Sequence, residues 1–80
     1  MKTVIGITMG DAAGIGPEII SKALSLKEIY ALCNPVVIGD ANVVKEGVNV
    51  AKVQLEVNPI KKISDAKFMY GKIDVLDLHN

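Results

Sequence analysis

A glycine-rich stretch near the start of the chain has the residue types most suited to binding a ligand. Residues 9–16 contain three glycines and one aspartate, and Pro17 and Glu18 follow directly. Glycine permits positive φ and close approach of the backbone, Pro17 suits the first position of a helix, and Glu18 suits the positive end of the helix dipole. A strand end, a glycine loop and a helix start in succession expose N–H groups that favour a phosphate or carboxylate. A tight turn whose glycines serve backbone geometry alone is equally compatible with this composition.

Three residues of this stretch are candidates for contact with a cofactor: Asp11, Gly14 and Gly16. Ligands of open α/β sheets collect beyond the carboxyl ends of strands, and this loop leaves such an end directly. The alternative for Asp11 is a local role, in which its carboxylate accepts hydrogen bonds from nearby backbone N–H groups. The loop is not a P-loop, because no Gly-Lys-Ser/Thr closes it. It also departs from the G-x-G-x-x-G spacing of the dinucleotide fingerprint.

Composition excludes several classes of protein. Nine basic and nine acidic side chains cancel, so the sequence gives no electrostatic signal for nucleic acid or an anionic membrane. No apolar run approaches the roughly 20 residues that a membrane-spanning helix needs. Cys33 is the single cysteine and cannot form an internal disulfide, and the first residues do not resemble a secretory signal. We therefore expect a cytoplasmic protein.

The hydrophobic pattern predicts alternating strands and helices in one domain, residues 1–80. Val4 to Thr8 is rich in β-branched residues, which favours a strand buried on both faces. A helix is predicted to begin at Pro17. Its apolar residues recur at helical spacing and are expected to face the sheet: Ile19, Ile20, Ala23, Leu24 and, further on, Ile29. Asn34-Pro35 interrupts the helical pattern, and a buried strand over Val36–Ile38 ends at Gly39-Asp40.

The second half predicts one more helix and two more strands. Asp40 fits either a ribose-binding acid or the N-cap of a helix over Ala41 to about Gly47, and capping is our prediction. Lys52 to Val57 alternates polar and apolar residues like a half-buried strand that Asn58-Pro59 would end. A last strand is predicted over residues 73–78, interrupted by Asp74 and Asp77. The fold class predicted from this order is α/β.

Several segments together resemble one enzyme family. Residues 7–20, Ile-Thr-Met-Gly-Asp-Ala-Ala-Gly-Ile-Gly-Pro-Glu-Ile-Ile, resemble the opening motif of the 4-hydroxythreonine-4-phosphate dehydrogenases. Pro-Val-Val-Ile-Gly-Asp at 35–40 is similar to the second strand of that family, and residues 73–78 fit a following strand. The motif also resembles the shorter Gly-Asp-Gly-Ile-Gly-Pro-Glu opening of the isocitrate and isopropylmalate dehydrogenases. Position 12 is alanine where the family usually has proline. Alanine would make the loop less rigid without removing a functional group.

The resemblance implies that the chain is the amino-terminal portion of an isocitrate/isopropylmalate-dehydrogenase-like fold. It implies a larger parent enzyme that uses NAD and a divalent metal (Zn, Mg or Co) to oxidise 4-phosphohydroxy-L-threonine, whose product then loses carbon dioxide, in pyridoxal phosphate biosynthesis. It further implies a homodimer and a metal site of three histidines. This sequence has one histidine, His79, which fits a solvated side chain. We therefore expect no catalytic residue, metal ligand or bound cofactor in these 80 residues alone, and no activity.

Two alternatives remain open from the sequence. The parent could act on the related substrates D-threonate 4-phosphate or D-erythronate 4-phosphate, because related dehydrogenases share the opening motif. The chain could also be a short, non-catalytic phosphate-binding module.

Overall fold

The structure is a computed structural model, and it describes residues 2–8 and 16–77. The four strands of the described residues form one parallel sheet in the order β1-β2-β4-β3. The elements in chain order are β1 (Val4–Thr8), α1 (Pro17–Leu24), α2 (Lys27–Leu32), β2 (Asn34–Gly39), α3 (Ala41–Ala51), β3 (Glu56–Ile60), a single 3₁₀ turn (Ile63–Asp65) and β4 (Lys72–Asp77). The α/β class predicted from the sequence is confirmed. None of the described helices is long and apolar enough to cross a membrane.

The hydrophobic core lies between the helices and one face of the sheet, which we call the helix face. Side chains of β2 and β4 pack there against α1, α2 and α3, because connections from β1 to β2 and from β2 to β3 both pass over this face. The buried members of this core are Ile20, Leu24, Tyr30, Val37, Ala41, Val44, Val48, Ile73 and Val75. The chain returns from β3 to β4 in the opposite direction along the sheet, through residues 61–71.

That return segment is fixed to the other face of the sheet by the carboxylate of Asp74. Asp74 lies in the middle of β4 and is 1% exposed. Its Oδ2 accepts a hydrogen bond from the N–H of Phe68 at 2.8 Å, its Oδ1 accepts one from the N–H of Lys67 at 3.1 Å, and Oδ1 also accepts one from Asn58 Nδ2 at 2.8 Å. Because these donors satisfy the carboxylate, β4 continues through Asp74, where the sequence predicted an interruption. Phe68 is held at φ 52°, in the left-handed region.

The first strand has the predicted bounds but not the predicted burial. Val4 and Ile5 are each 45% exposed, and only Ile7 is partly buried against the core. The reason is the position of β1 at the end of the sheet, where among the described residues it pairs with β2 alone. A strand at an edge has no neighbour on one side to exclude water.

Helix α1 begins at Pro17 as predicted, but its buried side differs from the predicted one. Ile20 and Leu24 are buried, whereas Ile19 is 59% exposed and Ala23 is exposed. Ser21 takes the remaining place on the buried side, because its hydroxyl donates to the carbonyl of Pro17 at 2.7 Å and so leaves no polar group unpaired. The helix ends at Leu24, and Ile29 belongs to a separate helix, α2.

Helix α3 starts as predicted and extends four residues past Gly47, to Ala51. Gly47 is buried inside the helix at the contact with α1. A Cβ atom on Gly47 would lie 2.6 Å from both the carbonyl carbon and the Cβ of Pro17. Glycine is therefore a requirement of helix packing at this position, and the sequence prediction that it ends the helix was wrong.

The third strand lies later in the chain than predicted, and Asn58-Pro59 is part of it. The N–H of Glu56 donates to the carbonyl of Gly71 at 2.9 Å, so the backbone of residue 56 faces β4. Since backbone groups alternate sides along a strand, Pro59 faces away from β4 and its missing N–H removes no ladder bond. The strand prediction over Lys52–Val57 failed because it treated this proline as a strand terminator.

Candidate functional site

The edge of the sheet formed by the carboxyl ends of its strands has the features that α/β proteins use for ligand binding. The strands are parallel, so β1, β2 and β4 all end there, with Thr8 level with Ile38 and Gly39 level with Asp77. Helices α1 and α3 begin beside this edge, after β1 and β2 respectively. Ligands of open α/β sheets bind outside the carboxyl ends of the strands, and this edge is therefore the candidate site.

The predicted loop is confirmed at its two ends. The strand ends at Thr8 and the helix begins at Pro17. Asp11 and Gly14 lie outside the described residues, as does His79. Their roles stay predictions.

Gly16 is the one predicted site residue that the structure describes. It precedes α1 with φ −80° and ψ 165°, a conformation open to any amino acid, and its carbonyl accepts a hydrogen bond from Ile20 N at 3.1 Å. A Cβ atom placed on it would meet nothing within 4 Å. Neither backbone conformation nor packing among the described residues therefore requires glycine at position 16.

The amino end of α1, which Gly16 precedes, can accept an anion. The first N–H groups of a helix have no partner within the helix, and no side chain among the described residues caps them. The helix dipole adds a partial positive charge at this point. The space that the described residues leave at Gly16 and these N–H groups together fit the approach of a phosphate to the backbone.

Asp40, which follows β2 at this edge, has the capping role predicted from the sequence. Its Oδ1 accepts a hydrogen bond from the N–H of Asn42 at 2.8 Å at the start of α3. That bond occupies the carboxylate locally, as an N-cap does.

A divalent metal does not fit the residues that the structure describes. Within 2–8 and 16–77, no three histidine, cysteine, aspartate or glutamate side chains come together as a metal-binding group would require.

A cluster of polar and aromatic side chains that was not predicted from the sequence lies at the amino-terminal ends of the strands, opposite the candidate site. The hydroxyl of Tyr30, a buried residue of α2, donates to the carbonyl of Lys72 at 2.6 Å, and its ring meets Tyr70 edge-on at 6.2 Å between centroids. Burial raises the pKa of the Tyr30 phenol to about 12, and the negative charge of Asp74 adds to this effect. The only signal in the sequence was a tyrosine among apolar residues, which does not reveal a partner 42 positions away. The hydrogen bond from Tyr30 to Lys72 holds α2 to the sheet.

Comparison with known proteins gives a consistent result. No protein-family model matches the sequence. A curated relative from Clostridium botulinum, named a D-threonate 4-phosphate dehydrogenase, is 49% identical over 99% of this chain and 24% of its own length. The crystal structure of a 4-hydroxythreonine-4-phosphate dehydrogenase from Burkholderia phymatum has a TM-score of 0.90 at 41% identity, covering 98% of this chain and 24% of that one. The enzyme of the same name from Klebsiella pneumoniae has a TM-score of 0.73 at 35% identity, covering 96% and 23%.

The chain thus spans about a quarter of the length of the relatives it matches, and the match covers nearly all of its own residues. The shared fold and the identity of 35–49% agree with the resemblance of residues 7–20. The chain belongs, as a segment equivalent to their amino-terminal quarter, to the family of 4-hydroxythreonine-4-phosphate and D-threonate 4-phosphate dehydrogenases.

Proposed function

We propose that the parent of this chain is an NAD-dependent, metal-dependent dehydrogenase that oxidises the secondary alcohol of a four-carbon, 4-phosphorylated hydroxy acid. The observation that carries the proposal is the similarity of nearly the whole chain to dehydrogenases named for such substrates. The two candidate substrates are 4-phosphohydroxy-L-threonine, from the names of the solved structures, and D-threonate 4-phosphate, from the names of the curated relatives. The second candidate is favoured by the higher identity, 49% against 41%.

In this proposal, residues of the 80-residue chain line the cofactor cleft. The groups that react with the substrate come from other parts of the parent enzyme. NAD, when bound, supplies the acceptor for the hydride that leaves the alcohol carbon. Gly16 and the amino end of α1 fit one of its phosphates, for the reasons given above, and Asp11 and Gly14 belong to the same loop. The metal has no place in this part of the proposal, because the described residues offer no set of ligands.

The parent is expected to be a homodimer in the cytoplasm. Both expectations come from the family resemblance and the composition, and sedimentation of the full-length protein tests the first of them.

The full-length parent should form NADH from one of the two substrates when a divalent metal is added, and the purified 80-residue chain should form none from either. NADH absorbance with each substrate, with and without chelator, measures this. A parent that is inactive on both substrates would contradict the proposed function. Phosphate binding by the 80-residue chain without any parent activity would favour the non-catalytic module instead.

Gly16→Val should raise the Kd of the parent for NAD about tenfold or more, because the branched side chain fills the space that the cofactor backbone contact needs. Its thermal unfolding should change little, since a Cβ atom at position 16 meets nothing within 4 Å among the described residues. Gly14→Val should also weaken NAD binding, and Asp11→Asn should have a smaller effect if Asp11 only bonds nearby backbone.

Calorimetric titration of NAD together with thermal unfolding separates the possible results. Unchanged NAD affinity in both Gly16→Val and Gly14→Val would contradict the proposed cofactor contact. Lost stability with normal affinity would indicate that the glycines serve the turn alone.

A further inference from the structure

A cavity lies at the amino-terminal ends of the strands, where α2 and the return segment meet. Its volume is about 270 Å³, close to the lower end of the roughly 300–1,000 Å³ typical of small-molecule sites. The described residues that line it are Lys2, Lys27, Tyr30, Ala31, Phe68 and Tyr70. A volume of this size suits a compound with a single ring.

The walls of this cavity are held in place by contacts with β4. The hydroxyl of Tyr30 in α2 donates to the carbonyl of Lys72 at 2.6 Å. The N–H of Phe68 in the return segment donates to the carboxylate of Asp74 at 2.8 Å. The rings of Tyr30 and Tyr70 then meet edge-on across the two walls. Because both walls are fixed to the same strand, the cavity exists before a ligand arrives, and binding needs little ordering of the protein.

The charged groups that line the cavity are both positive. The ammonium of Lys27 is exposed and makes no ion pair or hydrogen bond with another described residue. The ammonium of Lys2 donates to the carbonyl of Tyr30, which uses one of its three N–H groups and leaves two for a ligand. None of the described lining residues is acidic. The cavity therefore favours an anion.

Most of the remaining lining is aromatic. Tyr30 is buried, Phe68 is partly buried, and Tyr70 is 53% exposed, so much of the Tyr70 ring is open to a ligand. Aromatic side chains pack well against another ring, either offset or edge-on. Rings beside two ammonium groups thus suit a ligand that is itself both aromatic and anionic.

We infer that this cavity binds a small aromatic carboxylate. The ring of the ligand packs against Phe68 and Tyr70, and its carboxylate is held by the ammonium groups of Lys2 and Lys27. The small volume favours a carboxylate over a bulkier anionic group. The inference goes beyond the proposed function and does not depend on it, because the cavity shares no residue with the loop at the carboxyl ends of the strands.

Titration of benzoate into the full-length parent tests the inference, with the relaxation of the benzoate proton resonances as the measure of binding. Benzoate should bind saturably and at least about fivefold more tightly than acetate, which has the charge without the ring, or benzyl alcohol, which has the ring without the charge. Absence of saturable benzoate binding would overturn the inference. Equal affinity for benzoate and acetate would also overturn it.

Paired lysine substitutions show whether benzoate binds in this cavity. The double variant Lys2→Met/Lys27→Met should raise the Kd for benzoate about tenfold, because it removes both ammonium groups. The matched control Lys45→Met/Lys61→Met makes the same change of net charge at exposed residues that do not line the cavity, and it should keep the Kd within about twofold of wild type. An equal Kd in the two double variants would overturn the inference.

A second pair of variants tests the aromatic wall. Tyr70→Leu should raise the Kd for benzoate about threefold or more, whereas Met69→Leu, at an equally exposed neighbour outside the lining, should leave it unchanged. Thermal unfolding of all four proteins identifies any variant that fails to fold. A folded Tyr70→Leu protein with the benzoate affinity of wild type would contradict the proposed contact.

Discussion

Replacing Gly47 with valine should lower the free energy of unfolding by about 3 kcal/mol or more, because it forces α1 and α3 apart. The new Cβ would lie 2.6 Å from the Cβ and carbonyl carbon of Pro17 and 2.8 Å from its carbonyl oxygen. Two of these three atoms belong to the backbone, so no side-chain rotation relieves the overlap. Urea unfolding followed by circular dichroism measures the loss.

A matched substitution on the same helix separates packing from helix propensity. Asn49 lies exposed on α3, and Asn49→Val should change stability by about 0.5 kcal/mol or less. Gly47→Ala is the more sensitive comparison, since alanine normally stabilises a helix by about 1 kcal/mol relative to glycine. At position 47, alanine should instead lower the free energy of unfolding, because its Cβ would overlap Pro17. Wild-type stability in both Gly47 variants would show that the two helices do not approach as closely as the structure has them.

Replacing Asp74 with leucine should lower the free energy of unfolding by about 3 kcal/mol or more. The change leaves the N–H groups of Lys67 and Phe68 and the amide of Asn58 without their acceptor in a partly buried place, where a donor that water does not reach carries a penalty of about 1–3 kcal/mol. Asp74→Asn should fall between wild type and Asp74→Leu, because its amide oxygen keeps one acceptor.

A local readout distinguishes release of the return segment from general loss of stability. Trypsin should cut after Lys67 faster in Asp74→Leu under native conditions, because the 61–71 segment loses the bonds that hold it to the sheet. Asp65 lies exposed in the same segment, and Asp65→Leu should leave both the unfolding curve and the cleavage rate near wild type. Equal cleavage rates in Asp74→Leu and wild type would mean that this carboxylate does not anchor the segment.

Sequence analysis located the elements whose ends have local causes. The missing N–H and fixed φ of Pro17 mark the first turn of α1, and the short side chain of Asp40 reaches the N–H of Asn42 at the start of α3. Each signal acts within two or three residues, so no knowledge of the rest of the fold is needed. The class of fold followed from the alternation of these elements.

The sequence predictions were wrong where the structure around a residue depends on contacts with residues distant in the chain. Glycine at 47 and proline at 59 normally interrupt regular structure, but the first is required by the approach of α1 and the second faces an open edge. The exposure of Val4 depends on the position of β1 in the sheet, which local sequence does not reveal. The same limit applies to the site: the sequence indicated Gly16, but only the structure shows that nothing within the described residues requires glycine there.

The strand order has a consequence for how the chain acquires its structure during synthesis. β3 precedes β4 in the chain, yet among the described strands its only neighbour is β4, which lies between β3 and β2. As the polypeptide leaves the ribosome, β3 therefore emerges without a partner. The hydrogen bonds between β3 and β4 can form completely only after residue 77 has left the exit tunnel. Stalling translation shortly before that point should yield a nascent chain that a chaperone or protease still recognises as unfolded.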